Sequence, residues 1–264
     1  MLLTVDVGNA QTHLGVWHRD ELVHQWRAST DPTRTADELA MFFGDFLAMA
    51  DLSFSRQISG VAVCSVVPPA TQELRELSFK YFGFPAVVVE PGVKTGIAIL
   101  TDNPKEVGAD RIANAVAAHD MFPTENVVVV DFGTAITVDA VSGRGEYMGG
   151  AIAPGVETAA DALFHATAQI RRVELSEAPP TVLGKNTVAS VQSGLLYGTA
   201  DMVDGLVDRI TEELGGASRV IATGGFAPSV SRLCKRVERV EPILTLIGLR
   251  LIFGLNVERK EATA

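Results

Sequence analysis

Cysteine is scarce in this chain: only Cys64 and Cys234 occur among its 264 residues. Two cysteines in apolar or mixed surroundings do not support a disulfide framework or a cysteine-rich metal site. The histidines form no metal-ligand pattern either; they are His13, His18, His24, His119 and His165. A zinc-dependent or disulfide-stabilised protein is therefore not expected.

A dense tract of positive charge is also missing. Lys and Arg total 22 against 32 Asp and Glu, which gives a formal net charge of −10. Nucleic acid and anionic membranes attract proteins through clustered Lys and Arg side chains. We therefore expect neither nucleic acid nor a membrane as a partner.

Long apolar runs are absent too. No stretch approaches the ~18 uninterrupted apolar residues of a membrane-spanning helix, and the start, "MLLTVDVGN", lacks the basic and apolar regions of a signal peptide. These absences predict a soluble, unprocessed protein, for which a cytoplasmic location is the simplest expectation.

Hydrophobic residues make up 47% of the chain, enough for a substantial core. Short β-branched runs, such as 61–63, 86–89 and 127–130, alternate with segments of helical period, such as 36–50 and 110–122. This alternation is typical of α/β proteins. The segment from Leu244 to Arg259 has helical spacing and predicts a closing helix.

One motif occurs twice. "VDVGN" at 5–9 aligns with "VDFGT" at 130–134, and the two aspartates, Asp6 and Asp131, lie 125 residues apart, which is 131 less 6. An offset close to half the chain predicts two similar halves, each opening with a β-hairpin. The boundary between them is expected near residues 113 to 125.

The repeated motif allows two interpretations. A strand followed by Asp-x-Gly and small polar residues can present backbone N–H groups to a phosphate, while the Asp holds a cation or water. A plain hairpin turn uses the same residues. Two copies at this offset favour the first interpretation, because paired phosphate-binding hairpins hold ATP in actin-like sugar kinases and acetate kinases.

Asp110 and Arg111 begin a helix with an apolar stripe in "EVGADRIANAVAA". Asp110 can be a helix-capping or first-turn acid favoured by the helix dipole. It can also be a general base, with Arg111 binding an anionic group of the substrate. Spacing alone leaves both roles open.

Thr223, Gly224 and Gly225 follow a predicted strand near the other end of the chain. Their backbone could admit a flat ligand such as adenine, or could simply form a strand-to-helix turn. The chain contains no Gly-x-Ser-x-Gly, no Gly-x-x-x-x-Gly-Lys-Ser/Thr and no His-Glu-x-x-His, which excludes the best-known hydrolase, P-loop and zinc-protease signatures.

Taken in order, a set of motifs resembles the type III pantothenate kinases over nearly the whole chain: "DVGN", "PGVKTG", "DNPKEVGADRIANAVAA", "DFGTAITVDAV", "GGAIAPGV", "GKNTVASVQSG" and "ATGG". The resemblance implies a duplicated actin-like, ribonuclease H-like α/β fold with two similar halves around a nucleotide cleft, divided as 1–116 and 117–264. It implies a homodimer that phosphorylates the primary hydroxyl of pantothenate with ATP, the first step of coenzyme A synthesis. Mg2+ and a monovalent cation, K+ or NH4+, are the implied cofactors.

The resemblance also assigns roles to residues. Asp110 would be the proton acceptor, Asp131 would hold the monovalent cation and Asp6 would lie near Mg2+. The ATP site would contain Asp6, Val7, Gly8, Asn9, Ala10, Gln11, Thr12, His13 and Thr134. The pantothenate site would contain Thr101, Gly108, Ala109, Asp110, Arg111 and Thr187. Lys94 and Arg111 lie in motifs suited to help neutralise the γ-phosphoryl group as it moves.

Three positions depart from the family pattern. Ala10 stands where a hydroxyl residue is usual, Ile136 where Thr is common, and Thr101 where many members have Tyr. Thr12 offers a second hydroxyl near Ala10. Two other hypotheses therefore stay open: a catalytically silent or regulatory member of the family, and an actin-fold kinase or phosphatase for another small substrate.

Overall fold

The computed structural model describes residues 1–167 and 172–261. The chain forms two compact units. The first contains Met1–Ala98, Asp102–Ala117 and Leu244–Ala264, and the second contains Ile99–Thr101 and Ala118–Ile243. None of the helices in the described ranges combines the length and apolar content that a bilayer span requires.

The first unit is built on a five-stranded sheet of order β3-β2-β1-β4-β5. Its strands are β1 (Leu2–Val7), β2 (Gln11–His18), β3 (Glu21–Ser29), β4 (Gly60–Ser65) and β5 (Val87–Val88). The first three strands are antiparallel neighbours, whereas β4 and β5 run parallel to β1. The expected strands at 61–63 and 86–89 are thus confirmed.

Helices cover both faces of this sheet. One face packs its alternating apolar side chains, such as Leu3, Val5 and Val63, against α1 (Ala36–Ala48) and α3 (Pro68–Leu77) in one buried core. The helix α8 (Leu244–Glu261) packs against β1, β2 and β4. The remaining helices of the first half are α2 (Phe54–Gln57) and α4 (Ala109–Met121).

The second unit is built on a six-stranded sheet of order β11-β10-β7-β8-β9-β6. Its strands are β6 (Ala98–Ile99), β7 (Asn126–Phe132), β8 (Ala135–Ser142), β9 (Glu146–Pro154), β10 (Ser218–Thr223) and β11 (Arg239–Val240). The core on one face includes Val128, Val130 and Leu196. Its helices are α5 (Val156–Ala166), α6 (Thr187–Glu213) and α7 (Ala227–Val230).

The two sheets repeat one topology. β1 lies between an antiparallel β2 and a parallel β4, and β7 lies between an antiparallel β8 and a parallel β10. Asp6 and Asp131 occupy the same place, one residue before the end of β1 and of β7. The expected duplication, with a hairpin opening each half, is confirmed.

The last helix differs from the expected division of the chain. We assigned residues 117–264 to the second half, but the segment from Leu244 belongs to the first unit. This helix packs on the first sheet because glycines in that sheet leave room for the side chains of the helix. Leu246 lies against Gly15, and the Phe253 ring lies against Gly60.

Candidate active site

The turn between β1 and β2 is held in place by Thr30, which directly follows β3. Gly8 N–H donates to the Gln11 carbonyl at 2.9 Å and closes the turn. Thr30 then donates its N–H to the Ala10 carbonyl at 3.0 Å and its hydroxyl to the Gly8 carbonyl at 2.8 Å. Asn9 and Ala10 remain exposed. The first predicted phosphate loop is therefore a fixed turn with its tip open to solvent.

The side chains of Val7 and Thr12 point away from that tip. Val7 is buried in the core of the first unit. Thr12 is also buried, and its hydroxyl shares a 2.9 Å hydrogen bond with Thr30. Thr12 consequently does not replace the hydroxyl that Ala10 lacks.

Asp6 lies in a row of polar side chains across the sheet. Its Cα partners are His13 on β2 and Cys64 on β4, so the three side chains share one face. The buried Cys64 thiol donates to Asp6 Oδ1 at 3.1 Å. Burial raises the pKa of Asp6 to about 7, the hydrogen bond from Cys64 opposes that rise, and the negative charge of Asp110 adds to it.

His13 borders Asp6 on its other side. Its Nε2 is 3.2 Å from Gln25 Oε1, and Gln11 begins the same strand at an exposed position. Burial lowers the pKa of His13, and the neighbouring Arg27 lowers it further. Both effects favour the neutral form of the His13 ring.

Asp110 occupies the first turn of α4, preceded by Gly108. Its Oδ1 accepts a hydrogen bond from the Arg111 N–H at 2.8 Å, the local contact of a first-turn acid. A Cβ built on Gly108 would lie 2.5 Å from that oxygen, so only glycine leaves the carboxylate in this position. Ala109 and Arg111 are half-buried beside it.

The first unit thus brings Asp110 close to Asp6. The Asp110 charge raises the pKa of both Asp6 and Cys64, although more than 40 residues separate each of them from Asp110 in sequence. Two carboxylates whose charges interact in this way repel each other when both are ionised. Such a pair attracts a cation or a proton.

The second hairpin repeats the arrangement around Asp131. Its Cα partners are Thr137 on β8 and Thr223 on β10. Gly224, at φ +94°, comes so close that a Cβ there would overlap Asp131 Oδ1. Thr134 is exposed at the turn, and its carbonyl accepts from Gly155 N–H at 3.0 Å and from the Thr158 hydroxyl at 2.7 Å.

Gly224 belongs to the strand-to-helix turn that the sequence allowed as one interpretation of "ATGG". β10 ends at Thr223, and α7 begins at Ala227. The missing side chain of Gly224 makes room for the Asp131 carboxylate. The adenine interpretation of this turn stays a prediction.

Thr187 is the first residue of α6, at the edge of an open depression of about 580 Å3. Lys185, Asn186 and Ser190 line it with Thr187, and the Asn186 side chain caps the helix by accepting from Ala189 N–H at 2.9 Å. The volume falls within the usual range of small-molecule sites.

Thr101 follows the short strand β6, where Leu100 N–H donates to the Tyr147 carbonyl at 2.9 Å. The Thr101 hydroxyl is buried, and no hydrogen-bond partner for it exists in the described part of the chain. Ile136 is buried in the core, where a hydroxyl would need a partner.

Lys94 is fixed through its backbone, which exchanges hydrogen bonds with the Asn256 side chain.

Sequence reasoning missed Cys64. We considered the two cysteines only for a disulfide framework or a metal site, yet Cys64 contacts Asp6 directly. The only signal in the sequence was that Cys64 lies in the apolar run 60–65, which predicts a strand. The sequence of this run does not reveal that β4 pairs in parallel with β1, which carries Asp6. No group of three or more His, Cys, Asp or Glu side chains suited to a metal occurs within residues 1–167 and 172–261.

Comparison with known proteins decides the family. The sequence profile of the type III pantothenate kinases matches residues 2–209. A type III pantothenate kinase of Streptomyces griseus subsp. griseus is 53% identical over 266 aligned positions, covering 98% of this chain and 100% of the relative. The chain belongs to the type III pantothenate kinase family.

Solved structures agree with that family's expected fold. A ROK hexokinase from Thermus thermophilus superimposes with a TM-score of 0.57 at 14% identity, covering 98% of this chain and 99% of that one. An inorganic polyphosphate/ATP-glucomannokinase from Arthrobacter gives a TM-score of 0.53 at 16% identity, covering 97% and 98%. At such identities the likeness shows the fold alone, and it confirms the actin-like sugar kinase fold for this type III pantothenate kinase family member.

Proposed function

We propose that this protein phosphorylates the primary hydroxyl of pantothenate with ATP, the first step of coenzyme A synthesis. One observation carries the proposal beyond family membership. Asp110 is held at the start of α4, close enough to Asp6 to raise its pKa. The first unit therefore contains both Asp110, the proposed base for the acceptor hydroxyl, and Asp6, the proposed carboxylate for the metal ion that accompanies the phosphates.

Asp110 acts as the general base. Its carboxylate accepts the proton of the pantothenate hydroxyl as that oxygen attacks the γ-phosphorus of ATP, the bond from the γ-phosphorus to the β,γ-bridging oxygen breaks, and ADP leaves. The bond from Arg111 N–H and the space at Gly108 fix the carboxylate in one orientation. The Arg111 guanidinium binds the pantothenate carboxylate, because Arg matches carboxylates in geometry and charge.

The two hairpins bind the nucleotide in this proposal. The exposed Asn9 and the backbone of Gly8 and Ala10 contact phosphate on one hairpin, and Thr134 contacts ATP on the other. Gln11 and His13 follow the first turn and complete the set. Amide N–H groups at such turns suit phosphate oxygens.

Asp6 is the proposed ligand of Mg2+. The ion commonly binds one or two carboxylates together with substrate phosphates and waters, so a single carboxylate beside a phosphate loop fits it. An ion held by Asp6 would supply positive charge to offset the charge that develops on the transferred phosphoryl group. Asp131, flanked by Thr137 and Thr223, offers oxygen ligands of the kind that K+ or NH4+ accepts.

Thr101, Gly108, Ala109, Arg111 and Thr187 bind pantothenate in this proposal. Two observations support their assignment. The buried hydroxyl of Thr101 lacks a partner within the described ranges, and a buried polar group in that state is stabilised when a ligand supplies the missing hydrogen bond. Thr187 lies beside a depression with polar side chains of suitable size.

A homodimer and a cytoplasmic location complete the proposal. Apolar side chains are exposed around the start of α6, where Val182 is 62%, Leu183 is 83% and Val188 is 51% exposed. Clustered apolar exposure of this kind supports a protein interface. The free thiols of Cys64 and Cys234 fit a reducing compartment.

The test is pantothenate-dependent production of ADP, measured with and without K+, for the wild type and Asp110→Asn. We expect turnover by the wild type and a fall of kcat by roughly 10²- to 10⁴-fold in the variant, because the base is removed. Asp120→Asn, an exposed acid on the same helix, is the matched control and should keep full activity.

Three outcomes would contradict the proposal or a part of it. Wild-type protein that produces no pantothenate-dependent ADP would favour the silent or regulatory interpretation. ADP production that depends on a hexose instead of pantothenate would favour another small-molecule kinase of this fold. Unchanged turnover by Asp110→Asn would remove Asp110 as the base.

A further inference from the structure

We propose that Cys64 is a positioning residue, whose thiol holds the Asp6 carboxylate in the orientation that binds the metal ion of metal-bound ATP. The proposal rests on the function proposed above and adds a residue to its machinery. Neither the sequence motifs nor the family comparison points to Cys64.

The first observation is the register of the sheet. β4 runs parallel to β1 and places Cys64 beside Asp6 as its Cα partner. Both side chains stand on the same face, and the Cys64 Sγ to Asp6 Oδ1 distance is 3.1 Å. The contact is therefore set by the pairing of β4 with β1.

The second observation is the difference in burial between the two partners. Cys64 is fully buried, with 0% exposure, whereas Asp6, its partner at the same level of the sheet, is half-buried. A side chain packed on all sides has one rotamer available, so the thiol is a fixed donor. The more deeply buried thiol therefore holds Oδ1 of the Asp6 carboxylate in place.

The third observation is which oxygen the thiol contacts. The thiol donates to Oδ1, so this hydrogen bond holds one oxygen of the Asp6 carboxylate and leaves the second oxygen unengaged by Cys64.

The binding experiment uses a non-hydrolysable ATP analogue with Mn2+ as the metal, measured by titration calorimetry on the full-length protein without pantothenate. Cys64→Ala should weaken binding of the metal-bound analogue roughly three- to tenfold, the effect of one lost hydrogen bond. Cys64→Ser should stay within about twofold of the wild type, because a hydroxyl also donates to a carboxylate. Cys234→Ala, at the other and half-buried cysteine, is the matched control and should leave binding unchanged.

Kinetics and stability separate positioning from simple packing. Cys64→Ala should raise the KM for ATP and the Mg2+ concentration needed for activity, with the KM for pantothenate unchanged. Thermal unfolding should rank the variants differently from binding, since serine restores the donor but not the volume of sulfur. A purely structural role would instead make the loss of binding follow the loss of stability.

The proposal is overturned if Cys64→Ala binds the analogue as tightly as the wild type does, or if Cys64→Ser is as weak as Cys64→Ala. Wild-type protein that binds the analogue equally well with and without Mn2+ would overturn the proposed metal role of Asp6 as well. The first two results contradict the role of Cys64 alone, and the third contradicts the metal role of Asp6 on which it rests.

Discussion

Gly224 lies against the carboxylate of Asp131 so closely that no other residue fits between β10 and α7 without displacing Oδ1. Its φ of +94° is also a conformation that side-chain-bearing residues rarely adopt. Asp131 and Gly224 come from motifs 93 residues apart, 224 less 131, and both were noted in the sequence for separate reasons. The structure joins them in one site.

Gly224→Ala should therefore impair the response to monovalent cations. The added methyl group displaces the Asp131 carboxylate, so we expect weaker activation by K+ and a lower melting temperature. Gly225→Ala is the matched control, because a Cβ at the neighbouring glycine meets nothing within 4 Å. Activity titrated with K+ measures the effect, and equal responses of the two variants would contradict it.

Gly108→Ala should lower kcat through Asp110. The new Cβ would lie 2.5 Å from Asp110 Oδ1, so the carboxylate must rotate away from its present orientation. We expect kcat to fall at least tenfold, since a misplaced base loses much of its effect, while the KM for ATP changes little. Gly205→Ala on α6, where the Cβ would be in open space, is the control. A normal kcat in Gly108→Ala would show that the base is not positioned in this way.

The stability of the cation-free protein should depend on pH through Asp6. Its pKa is about 7 when folded and 3.8 ordinarily, so the folded state binds more protons between these values. The contribution of Asp6 to the free energy of unfolding should fall as the pH rises from about 4 to about 7 and stay low above that. The measurement is the melting temperature of the wild type relative to Asp6→Asn across this range. A pH-independent difference between them would refute the shift.

Added Mg2+ should act in the opposite direction on the same group. A cation favours the ionised carboxylate, so stabilisation by Mg2+ should increase as the pH rises through about 7. The same melting experiment with Mg2+ checks this, and Asp6→Asn should lose the increase.

Ala10→Ser should tighten nucleotide binding. Ala10 is exposed at the tip of the first turn, while its carbonyl is already bonded to Thr30, so a serine fits without disturbing the turn. One restored hydroxyl contact should lower the KM for ATP by up to about tenfold and leave the KM for pantothenate unchanged. Ala10→Val, which adds bulk without a hydroxyl, is the control. Equal effects of serine and valine would count against a phosphate contact at this position.

Thr245→Val should destabilise the first unit. Thr245 on α8 donates its hydroxyl to Asn114 Oδ1 on α4 at 2.8 Å, and both side chains are buried. Loss of this donor costs roughly 1–3 kcal/mol, because a buried acceptor loses a partner. Thr181→Val removes an exposed hydrogen bond and should leave the free energy of unfolding, measured in denaturant, nearly unchanged.

The sequence allowed much of this organisation to be predicted. The repeat around Asp6 and Asp131 predicted two hairpin-led halves, and the helical spacing of residues 36–50, 110–122 and 244–259 predicted α1, α4 and α8. Local patterns suffice there, since they record which faces are buried. The contact between Cys64 and Asp6 depends on which strand pairs with which, and the place of α8 depends on gaps left by Gly15 and Gly60. Strand pairing and helix placement depend on residues far apart in sequence, so no local sequence pattern predicts them.

The placement of α8 has a consequence for how the protein is made. A ribosome delivers Ala118–Ile243, nearly all of the second unit, before the helix that covers the sheet bearing Asp6 has been synthesised. The first unit is therefore the last to be completed, although its strands are synthesised first. Until then the grooves at Gly15 and Gly60 lack the side chains that fill them, so a nascent chain or a C-terminal truncation exposes that sheet to chaperones and proteases.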